Sequence, residues 1–233
     1  MKVVILLVAS MILGACSTSS GFNRGELRSE ISTPVQITEE SIKKALEAKP
    51  QLPEPFKLGI YFEPPKQPEY YYSYRPNWEW RIEDKKLIES AAEELIKSGA
   101  ISEIAILNSS IVEGEGNAAI RLAAARSGVD AVIIVSGVSD VDHYNNVLGV
   151  TYILIVTGAF IPGTVLDGLF MVNASMWDVR NEFLYMSAEA ESMASETRPA
   201  FFIEEERVIE NAKKSALVAL KEELQSQFKG LGK

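Results

Sequence analysis

One cysteine and one histidine occur in 233 residues. A single cysteine cannot close a disulfide within the chain, so the fold must stand on its hydrophobic core. One histidine, His143, and no second thiol serve zinc poorly. A Ser-His-acid triad would have to use His143, and no G-x-S-x-G turn nominates a serine. Positive charge is short as well. Twenty-three Lys and Arg face 32 Asp and Glu, a net of −9. That balance argues against nucleic acid as a partner, which requires a basic face. It argues equally against an electrostatic grip on anionic lipid. No pattern nominates a cofactor or a metal.

The one cysteine has an informative position. Lys2 is followed by an apolar run from Val3 to Ile12, then Leu13-Gly14-Ala15-Cys16. The run has the length of a signal-peptide core and is short for a membrane span. An apolar residue, two small residues and Cys are the lipobox pattern of bacterial lipoproteins. Its thiol receives a diacylglycerol, and the Cys becomes the mature amino terminus. Two or three acyl chains anchor firmly, because each buried CH₂ contributes about 0.8 kcal/mol. The expected organisation is a signal peptide at residues 1–15, a flexible tether at 16–36 from lipidated Cys16, and a globular domain at 37–233. The tether is read from Ser, Thr and Gly content. By resemblance to lipoproteins of diderm bacteria, Ser17 in place of Asp implies the outer membrane, facing the periplasm or the surface.

Beyond the tether the periodicity alternates. Thr38 is positioned to cap a short helix reaching about Ala48, with Glu39 and Glu40 in its first turn. Phe56 to Pro64 reads as a strand. Leu87, Ile88, Ala91, Ala92, Leu95 and Ile96 have helical spacing, closed by Gly99. "ISEIAIL" is a second strand, and "NAAIRLAAARSG" a helix with Asn117 as N-cap. "VDAVIIVSGV" is a third strand, apolar enough to be covered on both faces. "LFMVNASMWDV" and the period-two "EFLYMSAEAE" complete a meander. Ile203 to Phe228 is one long amphipathic helix. The expected fold is one α+β domain: a mixed sheet with a C-terminal antiparallel meander, helices packed on it, and a long last helix.

Val147 to Leu166 contains no charged residue until Asp167. Its glycines, its threonines, Pro162 and its β-branched residues suit a buried strand, a turn and the start of a partner strand better than a spanning helix. "DVDHYNN", from Asp140 to Asn146, reads as a polar loop, since it lacks the Gly and Glu that a calcium-binding EF-hand loop needs. "GEGNAA" at Gly114 mimics a dinucleotide fingerprint, but it lies seven residues beyond Leu107 where a tight turn is required. The feature that reads as a partner surface is aromatic. Tyr70, Tyr71, Tyr72, Tyr74, Trp78 and Trp80 share a proline-rich loop. Such side chains supply large contact area at low entropy cost; the alternative is that they pack back over the sheet edge.

"SGVDAVIIVSGV", "MVNASMWDVRNEFLYMSAEAES" and the closing helix resemble the bacterial rhombotarget lipoproteins. "LGIYFEP" is similar to that family's first strand, and Trp177-Asp178-Val179-Arg180 stands where the family turns between strands. Many members end in a Gly-Gly segment, a hydrophobic span and basic residues; this chain ends "FKGLGK". More loosely, the order of elements and Gly128-Val129-Asp130 resemble the curli-secretion pore lipoprotein, lipoprotein activators of penicillin-binding proteins, and the TolB amino-terminal domain. The resemblance implies a non-enzymatic lipoprotein that binds or helps assemble an envelope partner. The alternatives are an oligomeric outer-membrane secretion or pore component, and a hydrolase using carboxylates that no spacing singles out.

Overall fold

The computed structural model describes residues 19–31, 37–66, 78–146, 162–202 and 204–231. Five strands form one sheet in the order β2-β1-β3-β4-β5. They are β1 (Phe56–Phe62), β2 (Ile101–Leu107), β3 (Ala131–Asn145), β4 (Thr164–Asp178) and β5 (Leu184–Arg198). β1 runs parallel to both β2 and β3, whereas β3, β4 and β5 form an antiparallel meander. The helices are α1 (Arg24–Ile31), α2 (Glu39–Glu47), α3 (Ile82–Glu89), α4 (Glu93–Lys97), α5 (Gly116–Arg126) and α6 (Glu205–Leu231). A 3-10 turn, Ser90–Ala92, joins α3 to α4. The α+β fold expected from the sequence is therefore the observed one.

The crossovers explain the layering. From β1 the chain moves outward to β2; from β2 it returns past β1 to β3. Both crossovers must be right-handed, and they travel in opposite directions, so their helices lie on opposite faces. α3, α4 and the 3-10 turn between them put Ile88, Ala91, Ala92 and Leu95 into the main core on one face. α5 puts Ile120 and Ala124 against Tyr61, Leu107, Val132 and Ile134 on the other. The long α6 shares the first face, with Ile209, Ala212, Ala216, Leu217, Leu220 and Leu224 fully covered. β3 is consequently buried on both sides from Ala131 to Val135, as its unbroken apolar run suggests.

Local chemistry sets the ends of the elements. Thr38 caps α2 through a reciprocal box with Ser41: each side chain accepts from the other's backbone N–H, at 3.0 Å. α5 begins at Gly116, so Glu115 and not Asn117 holds the cap position. Glu182 takes a positive φ of 63° in the β4–β5 turn, where Asn181 Oδ1 accepts from Phe183 N.

Two expectations need correcting. "DVDHYN" is not a loop, because β3 continues through it to Asn145, paired with β4 at every residue. Its polar side chains alternate, and each face gives them partners. His143 Nε2 lies 2.9 Å from Glu205 Oε1, Tyr144 donates to Asp167, and Asp142 is almost fully buried. The second correction concerns the tether. Residues 24–31 are helix α1, packed on the sheet through Leu27 and Ile31. Of the uncharged stretch, Thr164 to Leu166 begin β4 as a partner strand. Positions 147–161 lie outside the described residues. Among the described residues no helix is long and apolar enough to cross a membrane.

Gly168 in β4 is a point of close approach between α6 and the sheet. A Cβ there would stand 2.9 Å from Val208 Cγ1 and 3.1 Å from Ile209 Cδ1. Both neighbours are β-branched and have few rotamers to move into. Gly168→Ala is expected to cost about 1–3 kcal/mol. Urea unfolding should show a lower midpoint at unchanged slope; an unchanged midpoint would refute this account of the contact.

Candidate functional site

Cys16, Tyr70, Tyr71, Tyr72 and Tyr74 lie outside the described residues. The structure does describe the chain on which each depends: the arm that follows Cys16, and the two ends of the aromatic segment.

The arm starts at Ser19, three residues after Cys16. Ser20 Oγ donates to Asp142 Oδ1 at 2.9 Å, Ser19 Oγ to Asp142 Oδ2 at 2.5 Å, and Gly21 N to Asp142 Oδ2 at 3.0 Å. A carboxylate is almost fully buried by this clamp, with 5% of Asp142 exposed. Burial alone would raise its pKa, but the hydrogen bonds from Ser19, Gly21 and Ser20 outweigh it. The group sits below the ordinary carboxylate range. Asn23 then caps α1, accepting from Glu26 N through its side chain and from Leu27 N through its carbonyl. Leu27 and Ile31, one turn apart, bury against Val138, Leu169 and Met171, with Phe22 packed alongside. Arg24 and Arg28, on the neighbouring flank, pair with Glu191 and Glu189 of β5 at 2.8 and 2.7 Å. These exposed pairs add little energy but fix direction. Phe22, Asn23, Leu27 and Ile31 were the sequence signal: a cap followed by apolar residues at i, i+4. The serine and glycine content around them concealed it.

The aromatic segment is fixed at both ends. On the entry side Lys66 Nζ donates to the Glu30 carbonyl at 2.7 Å. On the return side Trp78 and Trp80 are half-buried and pack on the main core. Trp78 meets Phe170 edge-on at 4.8 Å, and Trp80 at the same distance. Trp80 also meets Phe62 at 5.3 Å and donates its Nε1–H to the Glu63 carbonyl at 2.6 Å. Gly137 makes room for these rings, since a Cβ there would stand 3.0 Å from Trp78 Cη2 and 2.9 Å from Phe170 Cζ. Trp78 and Trp80 thus pack back over the sheet. Of the six aromatic residues nominated from the sequence, these two are therefore packing residues.

A buried cation reinforces the root. Lys213 of α6 is fully enclosed, and its three protons are all used. They go to Asp84 at 2.8 Å, Glu210 at 2.7 Å and the Glu79 carbonyl at 2.7 Å. An ammonium surrounded in this way is costly to disturb. It ties the long helix to the backbone between the two tryptophans.

At the other end of the sheet, Asp178 is buried at the close of β4. It accepts from Tyr185 Oη at 2.8 Å and from Arg180 N at 2.8 Å. Tyr185 in turn accepts from Gln51 N. Arg121 donates to the carbonyls of Asp178 and Val179 and pairs with Glu182, which Lys44 also reaches at 2.9 Å. These contacts seal the turn. Beside them a cavity of about 190 Å³ is walled by Pro50, Leu52, Phe56, Leu95, Ala100 and Tyr185. None of the residues nominated from the sequence lines it. Among the described residues no three His, Cys, Asp or Glu side chains converge as a metal site would require.

Three outcomes follow. Asp142→Ala removes the acceptor of three hydrogen bonds to a charged group, each contributing about 1.5–3 kcal/mol. Local opening of the arm is expected to rise at least about tenfold, read as faster tryptic cleavage at Arg24 and Arg28 with the rest of the domain intact. The same dependence has a pH sign. The clamp's stabilisation is present above the unfolded carboxylate pKa and is lost as pH falls through the lower folded value. Amide exchange at residues 19–31, corrected for intrinsic rates, should quicken in that acid window. At the alkaline extreme, burial first and then the bond to Asp178 push the Tyr185 phenol up to about 12. A tyrosine raised in the folded state stabilises fully below the unfolded value and loses that contribution as pH climbs through the folded one. Spectrophotometric titration should therefore show a late-ionising phenol that Tyr185→Phe removes.

No family model matches this chain, and no curated protein matches it. Solved structures show partial likeness. A Xanthomonas campestris protein of the family DUF330 is 13% identical, over 79% of this chain and 91% of its own, with a TM-score of 0.33. PelC from Paraburkholderia phytofirmans, a dodecamer, is 13% identical over 77% and 93%, with a TM-score of 0.32. The lipoprotein GNA1162 from Neisseria meningitidis is 15% identical over 61% and 84%, with a TM-score of 0.28.

Proposed function

We infer that this chain is a lipid-anchored, non-catalytic protein of the bacterial cell envelope that binds or helps assemble another envelope component. It is of the kind that the rhombotarget-type sequence pattern resembles, seated in the outer membrane. The observation that carries the reading is the clamp on Asp142, which engages Ser19, Ser20 and Gly21. Cys16 lies three positions before the first of these. A lipidated cysteine would thus be tied to the sheet by a leash of at most about 11 Å. Such a short leash would keep the domain at the membrane surface and present its loops to whatever shares that surface. The tyrosines between the fixed ends at Lys66 and Trp78 are the partner-binding surface of this reading.

The test has two arms in the native host. Cys16→Ser should abolish incorporation of labelled palmitate and move the chain from the membrane to the soluble fraction. Alanine at Tyr70, Tyr71 and Tyr72 together should reduce crosslinking to the envelope partner at least about tenfold, as loss of an interface hot spot does. The thermal midpoint should stay in place. Membrane retention without Cys16, or undiminished crosslinking, would overturn the corresponding half.

A further inference from the structure

The described residues contain one exposed pair of large aromatic side chains adjacent in sequence. Phe201 is 69% and Phe202 57% exposed. They sit in the 3-10 turn Ala200–Phe202, directly after β5, where Phe202 N donates to the Pro199 carbonyl. Strand register places that turn. Arg198, the last residue of β5, pairs with Thr164, and Thr164 pairs with Asn145. One row across three strands thus defines an end of the sheet, and the phenylalanines lie just beyond it.

The arm leads toward the same end. Asp142, which holds Ser19, is three residues before Asn145 on β3, about 10 Å along the strand. The far end of β3, at Ala131, is eleven residues from Asp142, about 36 Å away. A chain reaching three residues back from Ser19 spans at most about 11 Å. Cys16 can approach the phenylalanine end and cannot approach the other. The uncharged residues from Val147 onward also leave β3 at this end, and the chain returns to it at Pro162. Ion pairs line both candidate surfaces: Arg24, Arg28, Glu189 and Glu191 on the α1 face, and Glu196, Arg198, Glu204 and Arg207 beside the phenylalanines. What distinguishes the sheet end is its exposed phenyl pair, whose transfer to lipid is favourable.

We propose that the sheet end carrying Phe201 and Phe202 is the membrane-facing end of the protein. The two rings enter the interface of a zwitterionic bilayer, and the Asp142 clamp enforces that orientation. The occupant is a lipid surface. Neither a protein groove nor a second copy is required, because the acyl chains of Cys16 would emerge within reach of the same place. The proposal rests on the lipid-anchor reading, and its test separates the two.

The full-length lipidated chain carries no free thiol, since Cys16 is the only cysteine and its sulfur is alkylated. Phe202→Cys therefore accepts one fluorophore, and Lys97→Cys, exposed beyond the opposite end of the sheet, accepts one in a control chain. Both are reconstituted in phosphatidylcholine vesicles containing nitroxide-labelled lipid. Quenching at position 202 should exceed that at 97 several-fold, and adding Asp142→Ala should shrink the ratio. Equal quenching at the two sites in a chain that carries acyl groups overturns the orientation and leaves the anchor standing. An unquenched, blue-shifted label at 202 in a chain of doubled mass assigns the rings to a second copy and overturns it too. If unaltered Cys16 takes up the fluorophore, no acyl chain is present, and the anchor reading falls together with this one.

Discussion

Everything in this fold answers to a sheet that is apolar on both faces. Ala131 to Val135 of β3 are all buried, and Leu169 to Val172 of β4 are fully so. With no disulfide to brace the chain, each of those faces needs a cover made of ordinary helix. α3, α4 and α6 suffice for one. On the other, α5 covers only the part near β1, because right-handed crossovers deliver one helix there and the meander that follows delivers none. The remainder, over Val138, Leu169 and Met171, would stand open to water. The segment before the domain fills it with Leu27 and Ile31. What composition marks as a tether is thus the last layer of the core.

That packing requirement changes what the amino terminus can do. A solvated linker of twenty residues would let a domain wander tens of ångströms from its anchor. Here the arm is held to the sheet, by the Asp142 clamp at Ser19 to Gly21 and by the burial of Leu27 and Ile31. Under the proposed lipidation of Cys16, the orientation of the domain would follow from where Asp142 stands on β3. The same economy shows in the aromatic segment. Its two tryptophans fill space around Gly137 and Phe170, and Lys213 holds the backbone between them. Core packing fixes the return end of that segment, and a Lys66–Glu30 hydrogen bond fixes the entry end.

Most of the architecture was legible because periodicity reports burial. The β3 run, the alternation of β5, the α6 stripe and the Thr38 cap each follow from side-chain spacing or a capping rule. Three features were hidden for physical reasons. α1 is eight residues long, too short for its pattern to outweigh the Ser and Gly around it. The polar end of β3 imitates a loop because its partners, Ser19, Asp167 and Glu205, are distant in sequence. The inward turn of Trp78 and Trp80 depends on Gly137, nearly sixty residues away, and no local rule connects a glycine in one strand with two rings in a loop. Local signals decided the elements. What long-range pairing does with exposed-looking polar and aromatic residues had to be seen.

The edge of the sheet adds a constraint on partners. β5 is a fifteen-residue edge strand, long enough to recruit another chain by strand addition. Its sequence resists this. Its outward face carries Ser187, Glu189, Glu191 and Ser195 in place of the β-branched residues that strand pairing favours. Gln227 of α6 donates to the Ser187 carbonyl, occupying one position of the edge. The arginines of α1 hold Glu189 and Glu191 in salt bridges that an incoming strand would disturb. Association through this edge would have to displace the arm, and displacing the arm uncovers Val138, Leu169 and Met171. The structure thus disfavours strand addition at β5, the longer of the sheet's two edges.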